Sequence, residues 1–319
     1  MTIAPEAPAK PAVPTFLELE ITQRCQLTCG AHCYAEAGPS KGHGSMAADD
    51  WKRVISEAAV IGVKKVQLIG GEPTLHPDFT ELVEHALTLD LDVQIYSNLY
   101  KVRLAHWDLF TRPGVSLATS YYADTDDGHD AVTGREGSHA ATRANIIEAL
   151  RRGIRLQVGI VDVLDGQRVE EARAELDALG VTDVHIDRVR AVGNAAVSIP
   201  SASSLCGNCA QNVAAIMPDG SVTPCVLGRF LPAGSVKEEG LTGIFGGEKW
   251  ARIKQLIPPL RERSCTPNED SCGPSPLAPT ACGPDCQPAH SDSCDPAKGT
   301  PCGPMGIAPA TTARMPKSS

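Results

Sequence analysis

Three thiols, Cys25, Cys29 and Cys33, fall within the short stretch RCQLTCGAHCYAEAG near the start of the chain. Their neighbours are mostly polar or small, which makes the stretch poor material for a packed core and good material for holding a metal. Three thiolates fall short of the four ligands that structural zinc takes. They do suit a four-iron cluster with one iron left open to something other than protein. A zinc site that borrows His32 or His43, or three inert buried thiols, are the plainer alternatives. A second stretch, GGEPTLHP, puts Gly70 and Gly71 before Glu72 and Pro73. The glycines let backbone amides come close to a ligand, and the carboxylate could take a cation.

A second group of thiols lies in CGNCAQNVAAIMPDGSVTPC: Cys206 and Cys209, two residues apart, then Cys225. PDGS reads as a hairpin turn at Gly220 feeding a strand that delivers Cys225. A zinc ribbon would use the same Cys-x-x-Cys knuckle. The chain has 12 cysteines, none between Cys33 and Cys206, and Cys265, Cys272, Cys282, Cys286, Cys294 and Cys302 follow in the tail. The N-terminus lacks the charged-then-apolar pattern of a secretory signal. Thiols in such a chain read as metal or redox groups rather than a disulfide framework.

Alternating strand and helix patterns must position these groups. FLELEI, KVQLIGG, LDVQIYSN, GVSLATSYY, RLQVGIVDV and VTDVHIDRVRAVG read as six strands. Between them, Trp51, Val54, Ile55 and Ala58, then Phe79, Leu82, Val83, Ala86 and Leu87, recur at helical spacing. Further helices are expected at Leu104–Phe110, Ala140–Arg152 and Val169–Leu179. Six such units imply a parallel sheet with helices outside, and chemistry at the carboxyl ends of the strands. The first thiol group and Gly-Gly-Glu-Pro both fall at such ends.

At 319 residues the chain is long enough for one large α/β barrel or two domains. A net charge of −9 argues against a nucleic-acid partner, and no apolar run approaches a membrane span. Residues 1–14 read as an Ala/Pro lead-in, and 303–319 as a disordered tail. From Cys265 on, the sequence is rich in Pro, Gly and Ser, with no apolar periodicity, and needs metal to organise it.

The front stretch, with His32 just before the last cysteine, resembles the signature of the radical S-adenosylmethionine (SAM) enzymes. It departs from their spacing of three and then two residues, because Gly30, Ala31 and His32 separate Cys29 from Cys33. The resemblance implies a partial (β/α)6 parallel barrel over residues 15–198, with Cys25, Cys29 and Cys33 holding a [4Fe-4S] cluster. It implies SAM contacts from Tyr34, Gly70, Gly71, Glu72 and Pro73, with Asn98, Ser120 and Arg135 at later strand ends. The second stretch resembles the start of a SPASM or twitch auxiliary-cluster extension. That implies a small Cys-rich region over 199–302, with Cys206, Cys209, Cys225, Cys265, Cys272, Cys282 and Cys286 as auxiliary ligands. Only the gap from Cys282 to Cys286 follows the usual tail spacing.

The expected activity is reductive SAM cleavage to a 5′-deoxyadenosyl radical, then hydrogen abstraction from a ribosomally made peptide. Crosslinking, thioether formation or epimerisation would follow. A flavodoxin- or ferredoxin-type reductant, a separate peptide-recognition protein, and a cytoplasmic setting go with this reading. A dehydrogenase or epimerase of a small natural-product intermediate, or a non-catalytic metal-binding scaffold, are the alternatives. Asp162 and Arg188 could face the cavity, but no residue marks itself as the catalytic acid or base.

Overall fold

The computed structural model describes residues 13–258. The expectations for residues 1–12, for Cys265, Cys272, Cys282, Cys286, Cys294 and Cys302, and for 303–319 lie outside them.

Six strands run parallel and neighbour one another in chain order: β1 (Phe16–Thr22), β2 (Lys65–Gly70), β3 (Asp92–Tyr96), β4 (Val115–Tyr121), β5 (Leu156–Asp162) and β6 (Asp183–Arg188). Helices α1 (Ala48–Ile61), α2 (Phe79–Thr88), α3 (Leu104–Phe110), α4 (Asp126–Thr133), α5 (Ser138–Arg151) and α6 (Val169–Leu179) connect them. The sheet does not close, so the expected partial barrel is what forms. Beyond β1 it continues with β7 (Val213–Ile216), parallel to β1, and then β8 (Ser221–Thr223) and β9 (Gly234–Ser235), each antiparallel to the strand before it. Two short helices, α7 (Leu241–Gly246) and α8 (Glu248–Leu256), follow.

Leu17, Leu19 and Ile21 of β1 are fully buried in one core with Trp51, Val54, Ile55 and Ala58 of α1. The apolar stripe expected at helical spacing is the one that faces the sheet. The alternating FLELEI has a meaning its pattern alone did not disclose. Glu20 and Thr22 are as buried as the leucines, because the other face of a barrel strand points into the barrel rather than into water.

Helix α4 was not foreseen. Its interior offers few apolar residues, but its ends carry signals: Thr125 Oγ1 accepts from Gly128 N at 3.3 Å, Asp126 and Asp127 fill the first turn, and Gly134 follows the last. The next helix starts at Ser138, two positions earlier than read, because Asp130 of α4 accepts from Gly137 N, Ser138 Oγ and His139 N. Among the described residues no helix is long and apolar enough to cross a membrane.

Candidate active site

β1 ends in a register shift between Glu20 and Thr22, after which the chain turns over the barrel mouth. Cys25 N donates to Gly38 O at 3.1 Å, closing the loop that carries the front thiols. Cys25 Sγ accepts from Leu27 N at 3.4 Å and Asn98 Nδ2 at 3.6 Å, and Cys33 Sγ accepts from Ala37 N at 3.4 Å. All three thiols line one cavity of about 350 Å³ together with Tyr34, Gly70, Gly71, Asn98 and Ser120. Among the described residues no three His, Cys, Asp or Glu side chains stand close enough to hold a single metal ion.

Burial pushes the Cys25 thiol up to about 12, with the Glu72 and Cys33 charges adding to it. Burial does the same to Cys29, helped by Cys33 and Cys25. Cys25 and Cys29 therefore keep their protons unless a strongly positive centre takes their place. That donor set fits an iron–sulfur cluster.

The Gly-Gly-Glu-Pro stretch behaves differently from its simplest reading. Gly71 N and Glu72 N donate to Thr22 O and Arg24 O, both at 2.8 Å. A Cβ on Gly70 would lie 2.1 Å from Thr22 O, and φ there is +138°. The glycines thus let the end of β2 press against the loop leading to Cys25. The Glu72 carboxylate is fully engaged within the chain. It accepts from Thr74 N (3.2 Å), Thr74 Oγ1 (2.6 Å), Ser97 Oγ (3.1 Å) and Asn98 N (2.9 Å). Burial raises its pKa against those hydrogen bonds. Glu72 is not among the cavity-lining residues. It fixes Asn98, whose side chain reaches Cys25. Pro73 is buried and starts the 3₁₀ turn Pro73–Leu75.

Ser120 Oγ lies 3.3 Å from Tyr96 Oη, and both residues line the cavity. Arg135 does not line it; its Nε donates to Tyr100 Oη at 3.1 Å and its guanidinium lies over that ring. Arg188 lines the cavity and Asp162 does not. His32 lines it too, with a buried Nε2 that has no hydrogen-bond partner among the described residues. His43 bonds Thr22 Oγ1 at 2.9 Å and packs its ring on His76.

Cys206, Cys209 and Cys225 are buried and line the same cavity. The β7–β8 hairpin turns at Gly220, with Met217 N donating to Ser221 O at 2.8 Å. Cys209 Sγ and Cys225 Sγ stand 2.7 Å apart, longer than a disulfide bond. The contact with Cys209, with burial, holds the Cys225 thiol well above its usual range.

Sequence reasoning missed the two glutamates of β1. Glu18 lines the cavity and accepts from Val226 N at 2.8 Å. Glu20 pairs with Arg229 Nη2 at 3.0 Å, and its Oε2 has no hydrogen-bond partner among the described residues. Burial pushes both carboxyls up to about 7. Two glutamates at even spacing in a strand bound for a barrel were the available signal. Tyr122 and His129 also line the cavity, and neither stood out from sequence.

The family model of the Radical SAM superfamily matches residues 19–179. The chain belongs to the radical SAM superfamily. A second model, an iron–sulfur cluster-binding (SPASM) domain, matches 206–273. A [4Fe-4S] cluster with SAM, and at least one auxiliary iron–sulfur cluster, are therefore the cofactors of this radical SAM protein. It is similar to the PqqA peptide cyclase of Rhodopseudomonas palustris, 37% identical over 133 residues, covering 40% of this chain and 34% of that one. It is also similar to the mycofactocin maturase MftC of Mycobacterium tuberculosis, 31% identical over 155 residues, covering 46% and 38%. The match thus spans little more than a third of either relative's own length. In fold it resembles Streptococcus suis SuiB bound to its precursor peptide SuiA, at TM-score 0.64 and 15% identity, covering 76% of this chain and 67% of that one.

Proposed function

We propose that this radical SAM protein is an enzyme that modifies a ribosomally made peptide. The observation that carries the reading is that both cysteine groups, the front one and the one within the SPASM match, line a single cavity. When bound, the front cluster supplies the electron that cleaves SAM and yields the radical that takes hydrogen from substrate. Cys25, Cys29 and Cys33 hold that cluster. Tyr34, Gly70, Gly71, Asn98 and Ser120 shape the space for SAM, while Glu72, Pro73 and Arg135 brace that wall from behind. Cys206, Cys209 and Cys225, with Cys265, Cys272, Cys282 and Cys286, hold auxiliary iron.

In this division, residues 15–198 carry the radical chemistry and 199–302 the auxiliary iron, between a lead-in (1–14) and a tail (303–319). Support for a peptide substrate comes from the relatives, which are named as a peptide cyclase and a maturase. A flavodoxin- or ferredoxin-type protein delivers electrons, a separate protein presents the peptide, and the setting is the cytoplasm.

The test is anaerobic reconstitution with iron and sulfide, then dithionite and SAM, with 5′-deoxyadenosine read by mass spectrometry. The reading expects 5′-deoxyadenosine and at least about four irons per chain. Zinc in the protein and no 5′-deoxyadenosine would overturn it.

A further inference from the structure

The residue that lengthens the front spacing is absorbed in a 3₁₀ turn, Gly30–His32, with Gly30 at φ +54°. Nothing lies within 4 Å of where a Cβ on Gly30 would stand, so packing at Gly30 itself does not fix this turn. Its carbonyls are fixed from elsewhere. Gly30 O accepts from Asn194 Nδ2 at 2.9 Å, and Cys33 O accepts from Asn194 N at 3.1 Å. A Cβ on the preceding Gly193 would lie 2.2 Å from Tyr34 O, so the segment after β6 rests directly on the loop.

The next carbonyl, Tyr34 O, accepts from Arg229 Nη1. Nη2 of the same guanidinium donates to Glu20 Oε1 at 3.0 Å, and its centre lies 5.9 Å from the Tyr34 ring. Arg229 follows closely on Cys225, and Val226 N is itself tied to Glu18. One planar fork therefore reaches β1, the front loop and the segment of the second thiol group together. A lysine ammonium, a point charge on a flexible stem, does not reproduce that fork.

We infer that Asn194 and Arg229 form a two-point clamp that positions Cys33 in the lengthened loop and ties that loop to the segment carrying Cys225. Both are positioning residues, acting through backbone carbonyls. The inference rests on the radical SAM reading only for what the thiols hold; the clamp belongs to the chain itself.

The full-length protein and its Arg229→Gln, Arg229→Lys and Asn194→Ala variants test it by two readouts. The first is amide hydrogen exchange of the metal-free chain, comparing residues 30–38 with helix α1. Arg229→Gln is expected to speed loop exchange by about tenfold or more while leaving α1 unchanged, because local opening reports local ties. Arg229→Lys falls between Gln and wild type, and Asn194→Ala gives roughly a two- to fivefold increase.

The second readout, on reconstituted protein, is the SAM-dependent change in the front cluster's electron paramagnetic resonance (EPR) spectrum. The SAM-dependent change should weaken in the same order as the loop loosens. Loop exchange in Arg229→Gln equal to wild type would overturn the clamp. Equal acceleration in the loop and in α1 would also overturn it, making Arg229 a general stability residue. If wild-type protein shows no SAM-dependent spectrum, the radical reading fails while the exchange experiment still decides the clamp.

Discussion

Around Cys25, Cys29 and Cys33 the backbone is tied to the end of β2, to α4, to Asn194 and to Arg229, and the Cys25 thiol to Asn98 just past β3. Cys209 and Cys225 are held mostly by their own hairpin, through Ala210 N to Val213 O and Pro224 O, and Gly228 N to Cys225 O. Exposure differs as well: Cys29 and Cys33 are partly open, whereas Cys206, Cys209 and Cys225 are all buried. A group that must meet a diffusing ligand keeps one side open, and its geometry then has to be imposed from outside. A group enclosed by protein carries its geometry within a short segment. Under the proposed function, that asymmetry is the one expected of an open, ligand-binding front group and an enclosed auxiliary group.

Breaking one side should therefore leave the other standing. Replacing Cys25, Cys29 and Cys33 together by Ala is expected to reduce 5′-deoxyadenosine to background while auxiliary iron remains, read by mass spectrometry and iron analysis on the same sample. Loss of all iron from that variant would mean that the two groups assemble as one unit, and the contrast would collapse.

A smaller effect sharpens the second side. Glu18 is partly buried beside Cys225, and its carboxyl is raised from 4.5 to about 7 chiefly by burial. The folded chain thus keeps a proton that the unfolded chain gives up between those values. The resulting stability is present below pH 4.5 and is lost as pH rises through about 7. A shift of that size corresponds to something on the order of 3 kcal/mol. Glu18→Gln keeps an acceptor for Val226 N but removes the titration. Urea midpoints of the metal-free chain at pH 5 and pH 8 should differ less in the variant than in wild type. An unchanged difference would mean that Glu18 ionises as an ordinary carboxylate.

How much of this was legible in the sequence depended on whether a residue's partner was near it in the chain. The strands, most helices and the two thiol groups could be read because each is a local pattern or a fixed spacing. The β7–β8 hairpin could be read from PDGS for the same reason. Glu18 and Glu20 sit on the polar face of an alternating strand, and only the partial barrel that the sheet forms encloses that face. Glu72 looked like a free carboxylate because Ser97 and Asn98, which engage it, come from the next strand. Arg229 and Asn194 act on residues far away in the chain and carry no motif of their own.

The smallest effect concerns α4, the element that sequence patterning missed, and tests whether the front loop is braced from the barrel side too. Thr28, next to Cys29, donates from its N to Thr133 O at 3.0 Å and from its Oγ1 to Gly134 O at 2.9 Å. The end of α4 therefore supports the loop between the first two thiols. Thr125→Ala removes the N-cap at the helix's other end, which costs about 1 kcal/mol. Because α4 is short, that fraying is expected to reach Thr133 and to loosen Thr28 measurably by hydrogen exchange, leaving the β7–β8 hairpin untouched. If Thr28 exchanges as in wild type while α4 itself frays, the brace is the fixed turn after α4, held by Asp130, and not the helix that leads into it.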